Sequence, residues 1–254
     1  MAMLYVASEA SELKPLAKLL TGLRKLKWPV DYAFEGIWES RRILVAANGA
    51  GPKLAAQVVE VAIRAAMVAE LSSSRLEAVV STGFCGALDP DLRESQIVVA
   101  SEVLCPASGE TFACAGVMAE REFVRGGMLS QDRIASNTEQ KTKLLAHGAI
   151  AVDMEAAGVA ARAKRAGLPF CCIKVVSDRA DESFPFDLNR MRSDEGRIAR
   201  GKIGIHALTH PTVVPALFAL KRRSEDAARA LGEFLVSCRI DPESVNASSD
   251  QRES

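Results

Sequence analysis

Several features that mark particular classes of protein are missing from this chain of 254 residues. Lysine plus arginine and aspartate plus glutamate balance at 32 each, so the formal net charge is zero, and aromatic residues make up only 5%. Proteins that bind nucleic acids typically carry a basic surface, often with aromatic side chains on which bases stack. We therefore expect no nucleic-acid partner.

Membrane spans and disulfide frameworks are not indicated either. No apolar run reaches the roughly 18 residues that suggest a transmembrane helix. The six cysteines show neither a CxxC pair nor a regular spacing. The first strand-like residues, Met1–Ala7, lack a basic leader and are soon followed by Glu9 and Glu12. We expect a cytoplasmic enzyme with reduced cysteines.

What the chain does contain is a regular alternation of apolar strands and helices. The pattern predicts strands near residues 4–7, 31–34, 42–47, 77–82, 96–103, 121–129, 149–152 and 170–177, and helices near 11–26, 52–66, 138–146, 154–166, 192–207 and 213–237. This alternation is typical of a single α/β domain with three layers, in which helices flank a mixed, mostly parallel central sheet. We assign that domain to residues 1–238, expect irregular structure over 105–120, and expect a disordered polar tail over 239–254.

Two of the predicted strands end in acidic residues, and one alanine-rich helix links them. The first strand leads into Asp153-Met154-Glu155, and the second, Phe170–Ser177, leads into Asp178. In open α/β sheets, ligands bind beyond the carboxyl ends of strands, so the pattern predicts a cleft with carboxylates around a small molecule. Helix capping and a favourable position in a first helical turn are alternative roles for these acids.

Three motifs follow one another along the first 182 residues. They are a glycine-rich segment over 79–92, Asp153-Met154-Glu155-Ala156-Ala157, and Val176–Asp181. Their order and approximate spacing resemble those of the purine nucleoside phosphorylase and methylthioadenosine/S-adenosylhomocysteine nucleosidase superfamily. Ser183-Phe184-Pro185 and the helix Pro215–Leu231 are most similar to hopanoid-associated phosphorylases. The resemblance implies a nucleoside phosphorylase-like fold and cleavage of a purine N-glycosidic bond.

The resemblance also implies a role for residues in the second and third motifs. Asp178, which follows Ser177 in the base-binding motif, would bind the purine and protonate it as it departs. Glu155 would bind the ribose hydroxyls, and Met154 would pack on the face of the sugar. An acid near the base and anionic groups near the ribose suit this reaction, because cleavage leaves positive charge on the sugar. Asp178 would need a raised pKa, which desolvation at an apolar strand end favours.

Nucleosidases of this superfamily carry a glutamate shortly after the first strand, where it activates the attacking water. Glu9 and Glu12 are both candidates in this sequence. We prefer Glu12 as the second catalytic residue, since it lies at the start of a helix and precedes the apolar Leu13. A solvated glutamate in the first helical turn is the alternative interpretation.

Two positions depart from the family pattern. Phe84 stands where many members have a serine that holds phosphate or the nucleophilic water, although the backbone amides of Gly83 and Gly86 could still bind an anion. Ile134 stands where nucleosidases usually place a phenylalanine that stacks on the purine. The first departure favours hydrolysis by water, without a cofactor; inorganic phosphate would be a co-substrate only in phosphorolysis.

The substrate's 5′ group is left open. If the hopanoid resemblance holds, the substrate is an adenosyl-hopane, whose lipid tail at the membrane surface would need an apolar groove. The candidates for this groove are Phe184, Phe186, Pro215, Leu217 and Phe218. Methylthioadenosine, S-adenosylhomocysteine and futalosine are alternative substrates, and a non-catalytic nucleoside-binding protein is the alternative from another class. Superfamily members usually form oligomers, so we expect a homo-oligomer.

A metal site is not expected. His206 and His210 have a spacing of four that suits metal binding on a helix. However, Pro211 ends that helix, and the sequence offers no obvious third ligand.

Overall fold

A mixed β-sheet runs through the centre of the protein. The computed structural model describes residues 2–67, 75–184, 189 and 214–241. The strands are β1 (Ala2–Ala7), β2 (Thr21–Lys25), β3 (Tyr32–Trp38), β4 (Arg41–Ala47), β5 (Leu76–Ser81), β6 (Phe84–Ala87), β7 (Ile97–Cys105), β8 (Glu110–Ala113), β9 (Gly116–Met118), β10 (Val124–Ser130), β11 (Ala151–Asp153), β12 (Phe170–Asp178) and β13 (Arg239–Asp241). The helices are α1 (Ala10–Leu19), α2 (Pro52–Met67), α3 (Thr138–Leu145), α4 (Ala156–Arg165) and α5 (Val214–Ser237).

Most neighbouring strands of the sheet are parallel, whereas antiparallel pairs lie at its two ends and between β6 and β11. The order is β2-β3-β4-β1-β5-β12-β6-β11-β10-β7-β8, with parallel pairing from β4 through β6 and antiparallel pairing at β2–β3–β4 and β7–β8. An additional antiparallel pairing between β12 and β7 closes one half of the sheet into a ring. The central strands are almost continuously apolar because both of their faces are covered.

Helices cover the two faces of the sheet. Helices α1 and α5 pack on one face through Leu13, Leu16 and Leu231, while α2 and α4 pack on the other through Val58 and Val159. The prediction of a three-layer α/β fold with a mixed central sheet is therefore confirmed. Within the described ranges, no helix is long and apolar enough to cross a membrane.

Close backbone contact holds α2 and α4 together. A Cβ atom on Gly158 of α4 would lie 2.0 Å from the carbonyl oxygen of Pro52 at the start of α2. Only glycine allows two backbones to approach this closely. Helix α4 is therefore fixed against the segment that leads into α2.

Several predicted boundaries were wrong. The helix predicted over 11–26 ends at Leu19, and the chain continues as strand β2 through Gly22, whose φ of +61° does not fit a helix. Residues 84–87, for which no strand was predicted, form β6, and the segment expected to be irregular contains β8 and β9.

The carboxyl-terminal boundary also differs from the prediction. Residues 239–241 form β13, which pairs with β9, so the folded part of the chain extends beyond residue 238. The predicted helix over 213–237 is confirmed as α5. Residues 242–254 and the helix predicted over 192–207, with His206 and His210, lie outside the described residues.

Candidate active site

A cavity of about 490 Å³ lies at the carboxyl ends of β1, β11 and β12. Seven of the eight predicted site residues line it, namely Glu12, Phe84, Ile134, Met154, Glu155, Ser177 and Asp178. The eighth, Gly83, lies beside the Glu12 carboxylate, because a Cβ atom at this position would be 2.8 Å from Glu12 Oε2. The structure thus places side chains from distant parts of the sequence around one space.

The start of α1 holds Glu12 in the cavity wall. Its carboxylate accepts backbone hydrogen bonds from Ser8 (2.9 Å), Glu9 (3.0 Å) and Phe84 (3.3 Å). Glu12 is only 4% exposed, whereas Glu9, which also lines the cavity, is half-buried. Burial raises the pKa of Glu12, against the opposing effects of these hydrogen bonds and of Lys174.

Gly83 makes this arrangement of Glu12 possible. Its φ is +107°, a backbone conformation that residues other than glycine rarely adopt. The turn brings the next backbone amide, that of Phe84, to Glu12 Oε1. The Phe84 side chain packs with the core on the α1 and α5 face and also lines the cavity.

A buried lysine that the sequence analysis missed lies among Glu12, Asp153 and Glu155. Lys174 Nζ lies 2.7 Å from Asp153 Oδ2 and 3.6 Å from Glu155 Oε2, and donates to the Thr82 carbonyl oxygen at 2.9 Å. Burial disfavours its charge, but Asp153 and Glu155 more than offset this effect, so the pKa of Lys174 is raised. It is an ammonium ion held between carboxylates.

Glu155 and Asp153 have different partners at the start of α4. Asp153 Oδ2 accepts the backbone N–H groups of Glu155 (3.2 Å) and Ala156 (2.9 Å), which is the capping role considered for it from the sequence. Glu155 instead accepts the Gly51 N–H at 3.0 Å. Burial raises the pKa of Glu155 to about 7, with Lys174 opposing and Asp153 and Glu12 adding to the shift.

Asp178, at the end of β12, has a second buried lysine as its partner. Lys141 Nζ lies 2.6 Å from Asp178 Oδ2, and Ser177 Oγ donates to Oδ1 at 2.7 Å. Gly86 leaves room for the carboxyl group, since a Cβ atom there would be 2.9 Å from Oδ2. Burial raises the pKa of Asp178, as the apolar strand end predicted, although Lys141 and Ser177 oppose the shift.

A family model agrees with this arrangement. The model described as the phosphorylase superfamily matches residues 2–117 and 112–203, which is most of the chain. The chain belongs to the phosphorylase superfamily. Individual members of the family, and solved structures of the same fold, can therefore be compared with it.

Two kinds of nucleosidase stand out among the similar proteins. A 5′-methylthioadenosine/S-adenosylhomocysteine nucleosidase of Haemophilus ducreyi is 26% identical over 208 residues, which cover 70% of this chain and 84% of the relative. The structure of such a nucleosidase from S. pneumoniae with the transition-state inhibitor MT-ImmA matches with a TM-score of 0.68 at 17% identity, covering 93% of this chain and 97% of that one.

A futalosine hydrolase mutant of Helicobacter pylori matches with a TM-score of 0.64, also at 17% identity, and covers 93% of this chain and 97% of that chain. At these identities, the likeness to both solved structures establishes the fold. It agrees with the nucleoside phosphorylase-like architecture that the sequence motifs predicted.

Other predicted positions in this phosphorylase-superfamily chain have mixed outcomes. Phe184 lines the cavity, whereas Phe218 on α5 is 68% exposed. Pro215 and Leu217 also lie in α5, and Phe186 lies outside the described residues. Ile134 lines the cavity and is held by Asn189, which exchanges hydrogen bonds of 2.9 and 3.0 Å with its backbone.

Proposed function

We propose that this protein hydrolyses the N-glycosidic bond of an adenosine-like nucleoside and releases the free base. The observation that carries the proposal is the convergence of three buried carboxyl groups, those of Glu12, Glu155 and Asp178, on one cavity. Membership of the phosphorylase superfamily supports an enzyme that cleaves such bonds. The names of the similar nucleosidases support a purine nucleoside as the substrate.

The three acids suit three different tasks in this reaction. Asp178 would protonate the departing purine, because its raised pKa keeps a proton available for transfer. Glu155 would accept hydrogen bonds from the ribose hydroxyls, and its charge would stabilise the cationic sugar in the transition state. Glu12 would accept the proton of the attacking water, with Met154 packed on the sugar and Ser177 and Ile134 beside the base.

The charges around the sugar favour water over phosphate as the nucleophile. Three acids, Glu12, Asp153 and Glu155, surround Lys174, and its ammonium group already lies close to two of them. An incoming phosphate dianion would be repelled by these carboxylates, and repulsion between like charges is strong in a buried site. A neutral water molecule does not carry this cost.

For the 5′ group we propose a lipid of the hopane type, so that the substrate is an adenosyl-hopane. The proposal rests on the similarity of the carboxyl-terminal segments to hopanoid-associated phosphorylases. Phe184 and Leu220 add apolar surface to the cavity wall, and Phe218 adds an exposed apolar side chain on the same helix as Leu220. An amphiphilic substrate of this kind would be met at a membrane surface.

A panel of nucleosides tests both parts of the proposal. Purified protein is incubated with adenosine, methylthioadenosine, S-adenosylhomocysteine, futalosine and a 5′-hopanyl adenosine, each with and without phosphate, and the free base is measured. We expect base release that does not depend on phosphate, and the highest kcat/KM for the hopanyl compound. Strict dependence on phosphate would instead establish a phosphorylase.

Matched variants connect the activity to the cavity. We expect Asp178→Asn to lower kcat by about 10² to 10⁴-fold, which is the usual contribution of a general acid. Asp181→Asn is the control, because Asp181 is exposed and paired with Arg179 in the following loop. Base release that survives in Asp178→Asn at the wild-type rate would contradict the assignment.

A further inference from the structure

We propose that Lys141 is a positioning residue of the reaction, which holds Asp178 beside the base and stabilises the carboxylate that remains after the proton has left. This inference rests on the proposed function, since it concerns the acid of that reaction. Lys141 Nζ lies 2.6 Å from Asp178 Oδ2 and also donates to the carbonyl oxygen of Arg179, the next residue. One ammonium group therefore fixes both the acid and the backbone that follows it.

The burial of Lys141 is unusual for its surroundings. Helix α3 is a polar helix, and Lys141 is the residue that it buries, with its side chain 1% exposed. This short, solvent-exposed helix therefore places one long cationic side chain, that of Lys141, in the interior. Lys143, two residues along, is 73% exposed and pairs with Glu139 on the surface. Taking an ammonium group out of water is strongly unfavourable unless a partner compensates its charge.

The partners of Lys141 lie at the end of β12 and in the segment that follows it. Asp178 and the Arg179 carbonyl oxygen contact its ammonium group, and the centre of the Phe184 ring lies 6.0 Å away. The pKa of Asp178 is raised mainly by burial, and the charge of Glu182 adds to this shift. The pKa of Asp181 is lowered mainly by its hydrogen bond with Arg179, and the charge of Lys141 adds to that shift. Because Phe184 and Asp178 both line the cavity, Lys141 supports the end of the site that we assign to the base.

The chemical step explains why such a partner is useful. When the C–N bond breaks, its electron pair passes to the heterocycle, and the proton of the Asp178 carboxyl group moves to a ring nitrogen. Asp178 is then a buried carboxylate, a state that burial alone makes unfavourable. The ammonium group of Lys141, 2.6 Å from Asp178 Oδ2, stabilises this carboxylate, so proton transfer becomes easier. Ser177 supports the other oxygen at 2.7 Å.

Two substrates with different leaving groups test this role. A purine nucleoside needs a proton on its leaving group, whereas the 4-nitrophenyl β-D-riboside with the same 5′ group releases nitrophenolate without one. For Lys141→Met we expect kcat on the nucleoside to fall by about 10 to 100-fold, a part of the general-acid contribution. The rate on the nitrophenyl riboside should fall by less than about threefold, as it should for Asp178→Asn.

The controls separate this role from a loss of folding. Lys143→Met alters the exposed lysine of the same helix and should leave both rates unchanged. The ratio of the two rates, measured on one sample, does not depend on the fraction of folded protein. Lys141→Arg keeps the positive charge and should recover part of the nucleoside rate.

The outcomes distinguish this inference from the proposed function. An equal loss on both substrates in Lys141→Met, or no loss on either, would overturn the role of Lys141 while the hydrolase assignment stands. A wild-type protein that releases base from no nucleoside of the panel would reject the proposed function itself. A selective loss on the nucleoside, with partial recovery in Lys141→Arg, supports the inference.

Discussion

At the scale of single residues, the pKa of Glu155 gives the site a pH dependence. Burial raises this pKa to about 7, so at pH 5 the side chain is mostly protonated and cannot stabilise a cationic sugar. We expect kcat/KM to rise with pH through about 7, as Glu155 loses its proton, and then to level off. The measurement is kcat/KM between pH 5 and 9.

Glu155→Gln tests the assignment of that rise. The amide keeps the size of the side chain but has no charge at any pH, so we expect a loss of about 10² to 10³-fold in kcat at pH 8. Its kcat/KM should no longer rise through about pH 7. If the variant keeps the wild-type rise, another group, such as Glu12, is responsible for it.

Gly83 offers a second prediction for a single residue. Gly83→Ala would place a methyl group 2.8 Å from Glu12 Oε2 at a φ of +107°, so both the backbone and the carboxylate must move. We expect a loss of about 1–3 kcal/mol in the free energy of unfolding and a fall of about 10²-fold in kcat. Urea unfolding and base release measure the two effects.

Gly109→Ala is the matched control for this prediction. Gly109 also has a positive φ, +69°, but a Cβ atom there would meet nothing within 4 Å. We expect it to cost about 1 kcal/mol of stability and to leave kcat unchanged. If Gly83→Ala also leaves kcat unchanged, the contact with Glu12 does not matter for the reaction.

The sequence indicated the acids of the site but not the lysines that pair with them. Strand ends and motifs pointed to Glu155 and Asp178, because acids at strand ends are a local signal. Lys174 did leave a signal that was overlooked, since a lysine between Ile173 and Val175 in a buried strand must have a buried partner. Lys141 left none, because α3 has the composition of a solvated helix.

At the scale of elements, the crossing of α2 and α4 connects packing with the site. Gly158→Ala would place a Cβ atom 2.0 Å from the Pro52 carbonyl oxygen, which forces the two helices apart. We expect a loss of about 3 kcal/mol in stability. Because the Gly51 N–H bonds Glu155, we also expect a higher KM. Thermal unfolding and steady-state kinetics check this prediction.

Gly167→Ala serves as the control at this scale. Gly167 follows α4 with a φ of +65°, and nothing lies within 4 Å of the position of its Cβ atom. It should lose about 1 kcal/mol and keep the wild-type KM. Equal stability losses in the two variants would show that the helices tolerate separation.

The positions of the elements were predictable where the apolar period was clear. Helix α2 and strand β12 have long, regular patterns, and their predicted bounds agree with the structure within two residues. The end of α1 was missed because Leu20, Leu23 and Leu26 continue the spacing of a helix, although the chain there is strand β2. The pairing of β2 with β3, which lies later in the sequence, decides this conformation.

At the scale of the whole molecule, the carboxyl-terminal strand connects the end of α5 to β9, in a two-stranded sheet that is separate from the central one. Strand β13 pairs with β9, and Arg41 donates to the carbonyl oxygens of Val236 (2.7 Å) and Cys238 (3.0 Å). We expect a chain that ends at residue 241 to keep wild-type activity and a melting temperature within about 2 °C, because the residues beyond it are polar. A chain that ends at residue 238 should lose about 1–3 kcal/mol, since it lacks the β13 hydrogen bonds.

Calorimetry of the two truncated chains measures the difference. If they melt at the same temperature, β13 contributes nothing to stability. Assembly into a homo-oligomer stays a prediction at this scale, and light scattering of the full chain tests it.

Strand β12 has a consequence for how the specificity of this protein can change. Lys174 and Asp178 lie four residues apart on it, about 13 Å for an extended strand. The lysine that pairs with Asp153 and Glu155 and the carboxyl group of Asp178 are thus placed by one strand, and mutations in loops do not change the distance between them. Substitutions that change ligand specificity are therefore better sought at Leu220, Lys221 and Ser224, which line the cavity from α5 rather than from β12. A directed-evolution library confined to these three codons would alter one wall of the cavity and leave Glu12, Glu155 and Asp178 unchanged.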